Sequence, residues 1–81
     1  MTEQKVFEQV RKIVADQLCA TASELISDTS FDELGADSLS LVELMMELEE
    51  QLGVVIPDEE CEKLKTIGQV VDYIVEKKTR G

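Results

Sequence analysis

The sequence predicts an all-α fold: a small four-helix bundle of three main helices and one short helix, with a long first connection. Three observations carry this. Apolar residues recur at helical spacing in three separate segments. Each segment has a capping residue before it or a stopping residue after it. The one β-prone run, Val54-Val55-Ile56, has no second run to pair with and reads as a buried loop. With 81 residues, the chain is expected to be one domain, residues 1–81. A chain this short buries only about 60% of its unfolded surface, so a thin core is expected.

The first helix spans about Glu3 to Leu18, with Val6, Val10, Ile13, Val14 and Leu18 at helical spacing and Phe7 beside them. Thr2 can cap its start, and Glu3 complements the positive end of the helix dipole. The connection from Cys19 to Asp37 is punctuated by Ser, Thr, Asp and Gly. Connections of that length usually have local structure or a function. Thr21-Ala22-Ser23-Glu24 has capping-box spacing and is expected to open a short turn through Leu25 and Ile26. Leu25, Ile26, Phe31 and Leu34 are expected to pin the connection to the core.

The next helix, about Ser38 to Leu52, is capped by Asp37 and stopped by Gly53. At about 100° per residue, Leu41, Leu44, Met45, Leu48 and Leu52 fall on one face. Leu39 and Met46 point elsewhere, bordered by Glu43, Glu47 and Glu50. Two readings stay open here: a broad core stripe with solvated glutamates, or an exposed docking surface with apolar anchors inside an acidic rim. Pro57 and Asp58 then start a short helix that carries Cys61 and Leu64 inward. Thr66-x-x-Gln69 is a capping box that opens the last helix, with Ile67, Val70, Val71, Ile74 and Val75 at helical spacing. Lys77, Lys78 and Arg80 end it, where cations suit the dipole.

Charge narrows the function. There are 18 acidic residues against 8 basic ones and no histidine, a formal charge of -10. A nucleic-acid partner needs clustered Lys and Arg, and an anionic membrane surface does too. No apolar run is long enough for a membrane span. The charge is also unevenly placed. From Ile13 to Glu62, 50 residues hold 14 acids and no base, while the ends hold all 8 bases and a net +4. Folding alone gives no reason for such self-repulsion, and a basic partner surface is its natural complement. Cys19 and Cys61 are too far apart in sequence for a Cys-x-x-Cys or zinc pattern, and two free thiols fit a reducing cytoplasm. Without histidine, the commonest general base and metal ligand is missing.

Two places could hold chemistry. Asp28, Ser30 and Asp32 match positions one, three and five of a calcium loop. Glu33 stands where that loop needs Gly, however, and Leu39 where it needs a bidentate Glu. The second place is Gly35-Ala36-Asp37-Ser38-Leu39. Gly35 permits a tight turn, Asp37 caps, and Ser38 follows as the first helical residue. Its hydroxyl could point outward at the positive end of a helix, a setting that tolerates a phosphate ester. No Lys or His in the loop or helix could activate Ser38 as a nucleophile. On composition alone, a serine beside a helix cap is usually only part of the cap, and local spacing does not overturn that reading.

The same five residues resemble the attachment motif of the acyl carrier proteins. The resemblance continues through Val42-Glu43-Leu44, Glu49-Glu50, Ile56-Pro57-Asp58-Glu59-Glu60 and Val71-Asp72-Tyr73-Ile74, covering almost the whole chain. It implies that a phosphopantetheinyl transferase attaches phosphopantetheine from coenzyme A to Ser38, flanked by Asp37 and Leu39. The resulting thiol would carry acyl groups as thioesters between enzymes, with no catalysis by the chain itself. It also implies that Asp37, Leu39, Glu43, Met46, Glu47 and Glu50 contact basic patches on acyl-chain synthesis enzymes. A growing chain would fold back against residues such as Leu44 and Met45. The chain departs from the common bacterial fatty-acid form in three places. These are Ser40, where many have Asp, a loop Phe31–Gly35 one residue shorter, and Cys19, where Gly is frequent. A polyketide or other specialised acyl product therefore fits as well as fatty acids, and a monomer is expected. A second class of function, an acidic helical adaptor with no prosthetic group, predicts binding that survives loss of Ser38.

Overall fold

The computed structural model describes residues 3–80, and within them the architecture is helical. Helix α1 runs Glu3–Leu18, α2 Ser38–Leu52, α3 Asp58–Cys61 and α4 Ile67–Arg80. A 3₁₀ turn at Ala22–Glu24 interrupts the long first connection. The anticipated cap at Thr2 lies outside the described residues. Helix α1 is packed against both α4 and α2. It contributes Val6, Val10, Ile13 and Val14 to the core, all at the predicted spacing. From α2 come Leu44, Met45, Leu48 and Leu52, and from α4 Ile67, Val70, Val71 and Ile74. Among the described residues no polar or charged side chain is buried, so apolar packing holds the bundle.

The helix ends follow from their residues. Gly53 ends α2 in the left-handed region (φ 66°), and its amide and that of Val54 both donate to the Glu49 carbonyl. At α4 the capping box closes as predicted. The Gln69 amide donates to Thr66 Oγ1 at 3.2 Å, while Gln69 Oε1 accepts from the amides of Thr66 and Lys65 at 3.1 and 2.6 Å.

Four expectations need correction. Thr21 makes no side-chain cap; the Glu24 amide bonds the Thr21 carbonyl at 3.0 Å instead, because the turn is 3₁₀. That turn ends at Glu24, and the chain continues extended through Leu25. Neighbouring side chains then point to opposite sides, so Leu25 is buried while Ile26 is exposed. The same alternation splits Val54-Val55-Ile56, whose outer residues are buried and whose middle one is exposed. Cys61 is half-buried beside the core rather than inside it. Its thiol donates to the Ile56 carbonyl at 3.7 Å. Burial, and then the charges of Asp58 and Glu49, push this thiol up and keep it protonated.

Candidate functional site

The site is built where the first connection enters α2. Phe31 is buried, and its carbonyl accepts from the amides of Leu34 and Ala36, both at 3.1 Å. The chain therefore folds back around Phe31 in a tight loop. Gly35 makes the reversal with a φ of 75°, and its amide bonds the Asp32 carbonyl at 3.0 Å. A β-carbon on Gly35 would meet nothing within 4 Å, so backbone conformation, not space, is what glycine satisfies there.

Asp37 is the cap. Its backbone is extended, its Oδ1 accepts from the Ser40 amide at 2.8 Å, and its carbonyl accepts from the Leu41 amide at 2.9 Å. The Ser40 amide first, and then the Ser40 hydroxyl, hold the Asp37 carboxyl below its ordinary value. The carboxylate is thus ionised at neutral pH and committed to the helix end.

That commitment decides what Ser38 can do. Ser38 is the first residue of α2 and is exposed. Because Asp37 supplies the cap, the Ser38 hydroxyl takes part in no hydrogen bond with any described residue. An exposed, uncommitted hydroxyl at the positive end of a fifteen-residue helix fits a phosphodiester, whose negative charge that end favours. The residues present fit the group.

Beside Ser38, α2 shows a second apolar surface. Leu39 is 67% exposed, Met46 61% and Val42 54%. Glu43 and Glu50 are exposed on the same side. Glu47 stands at its edge towards α1, half-buried, with its Oε1 accepting from Gln51 Nε2 at 2.6 Å. Of the residues the sequence singled out, Asp37, Ser38, Leu39, Glu43, Met46 and Glu50 are therefore brought to one exposed side of α2, with Glu47 bordering it. Val42 was missed. It projects about 40° from Ser38, between the core stripe and the polar face, and only its burial separates the two. Leu44 and Met45 lie on the opposite side, 0% and 2% exposed, closed within the core.

The calcium-loop residues do not converge. Among the described residues no group of three or more His, Cys, Asp or Glu is placed to hold a metal ion. The Ser30 hydroxyl accepts from the Glu33 amide at 3.2 Å, a local turn contact. No helix among the described residues is long and apolar enough to cross a membrane.

Residues 8–74 match the family model described as "Phosphopantetheine attachment site". An acyl carrier protein of Clostridium acetobutylicum is 54% identical over 70 residues, covering 85% of this chain and 91% of that protein. One from Rubrobacter xylanophilus is 48% identical over 80 residues, 98% and 99% of the two chains. A solved structure of the acyl carrier protein from Enterococcus faecalis superposes with a TM-score of 0.81 at 38% identity, covering 95% of this chain and 99% of that one. With the family model matching residues 8–74 and relatives this similar over most of its length, the chain belongs to the acyl carrier proteins, non-catalytic carriers with a covalently attached phosphopantetheine.

Proposed function

We propose that Ser38 is the attachment residue for phosphopantetheine. We further propose that the chain carries acyl intermediates as thioesters between enzymes of fatty acid or related acyl-chain biosynthesis. One observation supports this above the others: the exposed Ser38 hydroxyl is left uncommitted by the Asp37 cap. In loading, Ser38 Oγ bonds to the phosphorus of coenzyme A that bears pantetheine. The bond from that phosphorus to the rest of the coenzyme breaks, and the hydroxyl proton passes to a base of the transferase. The chain offers no His, and no Lys or Arg between Ile13 and Glu62, so activation belongs to the transferase. Once attached, the group supplies the thiol that bears the acyl chain.

Asp37, Leu39, Glu43, Met46 and Glu50, with Glu47 at the border, form the face offered to basic patches of the transferase and the acyl-chain enzymes. The apolar residues anchor and the carboxylates steer. The chain works in this reading as a monomeric single domain, residues 1–81, in the cytoplasm. Incubation with coenzyme A and a broad-specificity phosphopantetheinyl transferase is expected to add one phosphopantetheine mass, and Ser38→Ala to abolish the addition. An unmodified wild-type protein would sink the reading. Salt-sensitive binding to a basic enzyme that persists in Ser38→Ala, with no mass added to wild type, would favour the adaptor.

A further inference from the structure

The loop that presents Ser38 is fastened to the opposite end of the molecule's sequence. Three backbone hydrogen bonds join the first connection to the start of α4. The Phe31 amide donates to the Lys65 carbonyl at 3.0 Å, the Ile67 amide to Thr29 at 3.1 Å, and the Gly68 amide to Ser27 at 2.9 Å. Ser30 and Thr66 pair between them as an antiparallel bridge. The amides of Ile67 and Gly68 belong to the first turn of α4, which has no partners for them within the helix. Loop carbonyls fill that need, so the strap also caps α4.

Two side-chain features hold the strap. Gln69 Oε1 accepts from the amides of Lys65 and Thr66 together, which fixes the orientation of the Lys65 peptide that receives Phe31. At Gly68, a β-carbon would lie 3.0 Å from both the carbonyl oxygen and the β-carbon of Ser27. Glycine is what lets the two backbones meet. From Phe31 the connection runs directly to the site, since its carbonyl holds the Ala36 amide, and Ala36 precedes Asp37 and Ser38.

We infer that Gln69 and Gly68 are positioning residues for the modification of Ser38. The hydrogen bonds of Gln69 run to Lys65 and Thr66, and the close approach of Gly68 is to Ser27. Both residues act through the strap, by fixing where the 27–36 segment delivers the start of α2. This rests on the Ser38 reading proposed above. It predicts a loss mainly in the turnover step, because Glu43, Met46 and Glu50, further along α2 on the docking face, keep their place. A misplacement of about 1 Å at a reacting centre costs on the order of 10²-fold in rate, and partial loosening of a loop costs less.

The test is steady-state modification of the unmodified full-length chain by coenzyme A and a phosphopantetheinyl transferase, under conditions where every variant is folded by circular dichroism. Gln69→Ala and Gly68→Ala are expected to lower kcat roughly tenfold with KM for the carrier little changed. Gln69→Glu, which keeps an acceptor oxygen for both amides, is expected to restore it. Val14→Ala, a core truncation in α1 that touches none of the strap's hydrogen bonds, controls for general loosening and is expected to leave kcat at the wild-type value. Wild-type kcat in both Gln69→Ala and Gly68→Ala would overturn the proposal, as would an equal loss in Val14→Ala. A wild-type chain that is never modified at Ser38 would instead overturn the carrier reading itself, and this inference with it.

Discussion

Cys19 sits at the end of α1 with a φ of 56°. The Ala20 amide donates to the Ala15 carbonyl at 2.9 Å, the six-to-one bond of a helix that ends through a left-handed residue. A side chain in that conformation costs about 1–2 kcal/mol, and glycine avoids the cost while adding some unfolded-state freedom. Cys19→Gly is therefore expected to stabilise the fold by about 1 kcal/mol, read as a higher urea midpoint. An unchanged or lower midpoint refutes it. The helix end was legible from the periodicity that stops at Leu18. The left-handed turn was not, because cysteine has no preference for it and only the family's frequent glycine hints at it. Asp37 was legible, because a short acidic side chain before an apolar-periodic run is what a helix start requires. Its carboxyl is held below the ordinary value of 3.8, so the ionised form stabilises the folded state. That contribution is complete above the ordinary value and is withdrawn as the pH falls through the lower, folded one. Asp37→Asn should consequently be less stable than wild type at about pH 6, with the difference shrinking by about pH 3. A difference that stays constant over this range would remove the charge from the account.

At the scale of the element, α2 does two jobs with two faces. Leu44 is fully buried and Met46 is 61% exposed, though they are two residues apart. Leu44→Ala should destabilise by about 2–5 kcal/mol, a large share of a small domain's stability. Met46→Ala should change stability by no more than about 0.5 kcal/mol while raising KM for the transferase. If Met46→Ala left every partner interaction unchanged, the exposed face would be ordinary surface. This division was half legible. The period of 3.6 residues separates Leu44 from Met46, yet whether Leu39, Val42 and Met46 meet solvent or another element depends on how α1 and α4 pack. Sequence spacing does not encode that. The connections were less legible than the helices for a related reason. Leu25 and Ile26 are both apolar, and only the extended backbone after the 3₁₀ turn sends one inward and the other out. The strap between residues 27–31 and 65–68 consists of backbone bonds, which leave no side-chain signature except Gln69 and Gly68.

The whole molecule extends 32 × 26 × 20 Å and carries a formal charge of -10. At about 0.01 M salt the screening length is about 30 Å, so every carboxylate acts on every other across the fold. At about 0.15 M it falls to about 8 Å, and only neighbours on one helix face still interact. The pair of Lys63 with Glu60 relieves little of this, since the two meet at 4.0 Å on the surface, where such a pair contributes about 0–1 kcal/mol. The 14 acids between Ile13 and Glu62 have no base among them, so the repulsion is borne by the fold itself. Added salt should accordingly do two opposite things. It should raise the thermal midpoint of the free chain by screening repulsion, and weaken association with a basic enzyme by screening attraction. The sensitivity of association should steepen once Ser38 is modified, because a phosphodiester adds about one negative charge to the centre of the acidic block. Melting curves and binding isotherms over about 0.01–0.3 M sodium chloride, on unmodified and modified chains, read all three effects. A thermal midpoint that falls with salt in this range would mean that the acidic block is compensated within the fold and is not held in reserve for a partner.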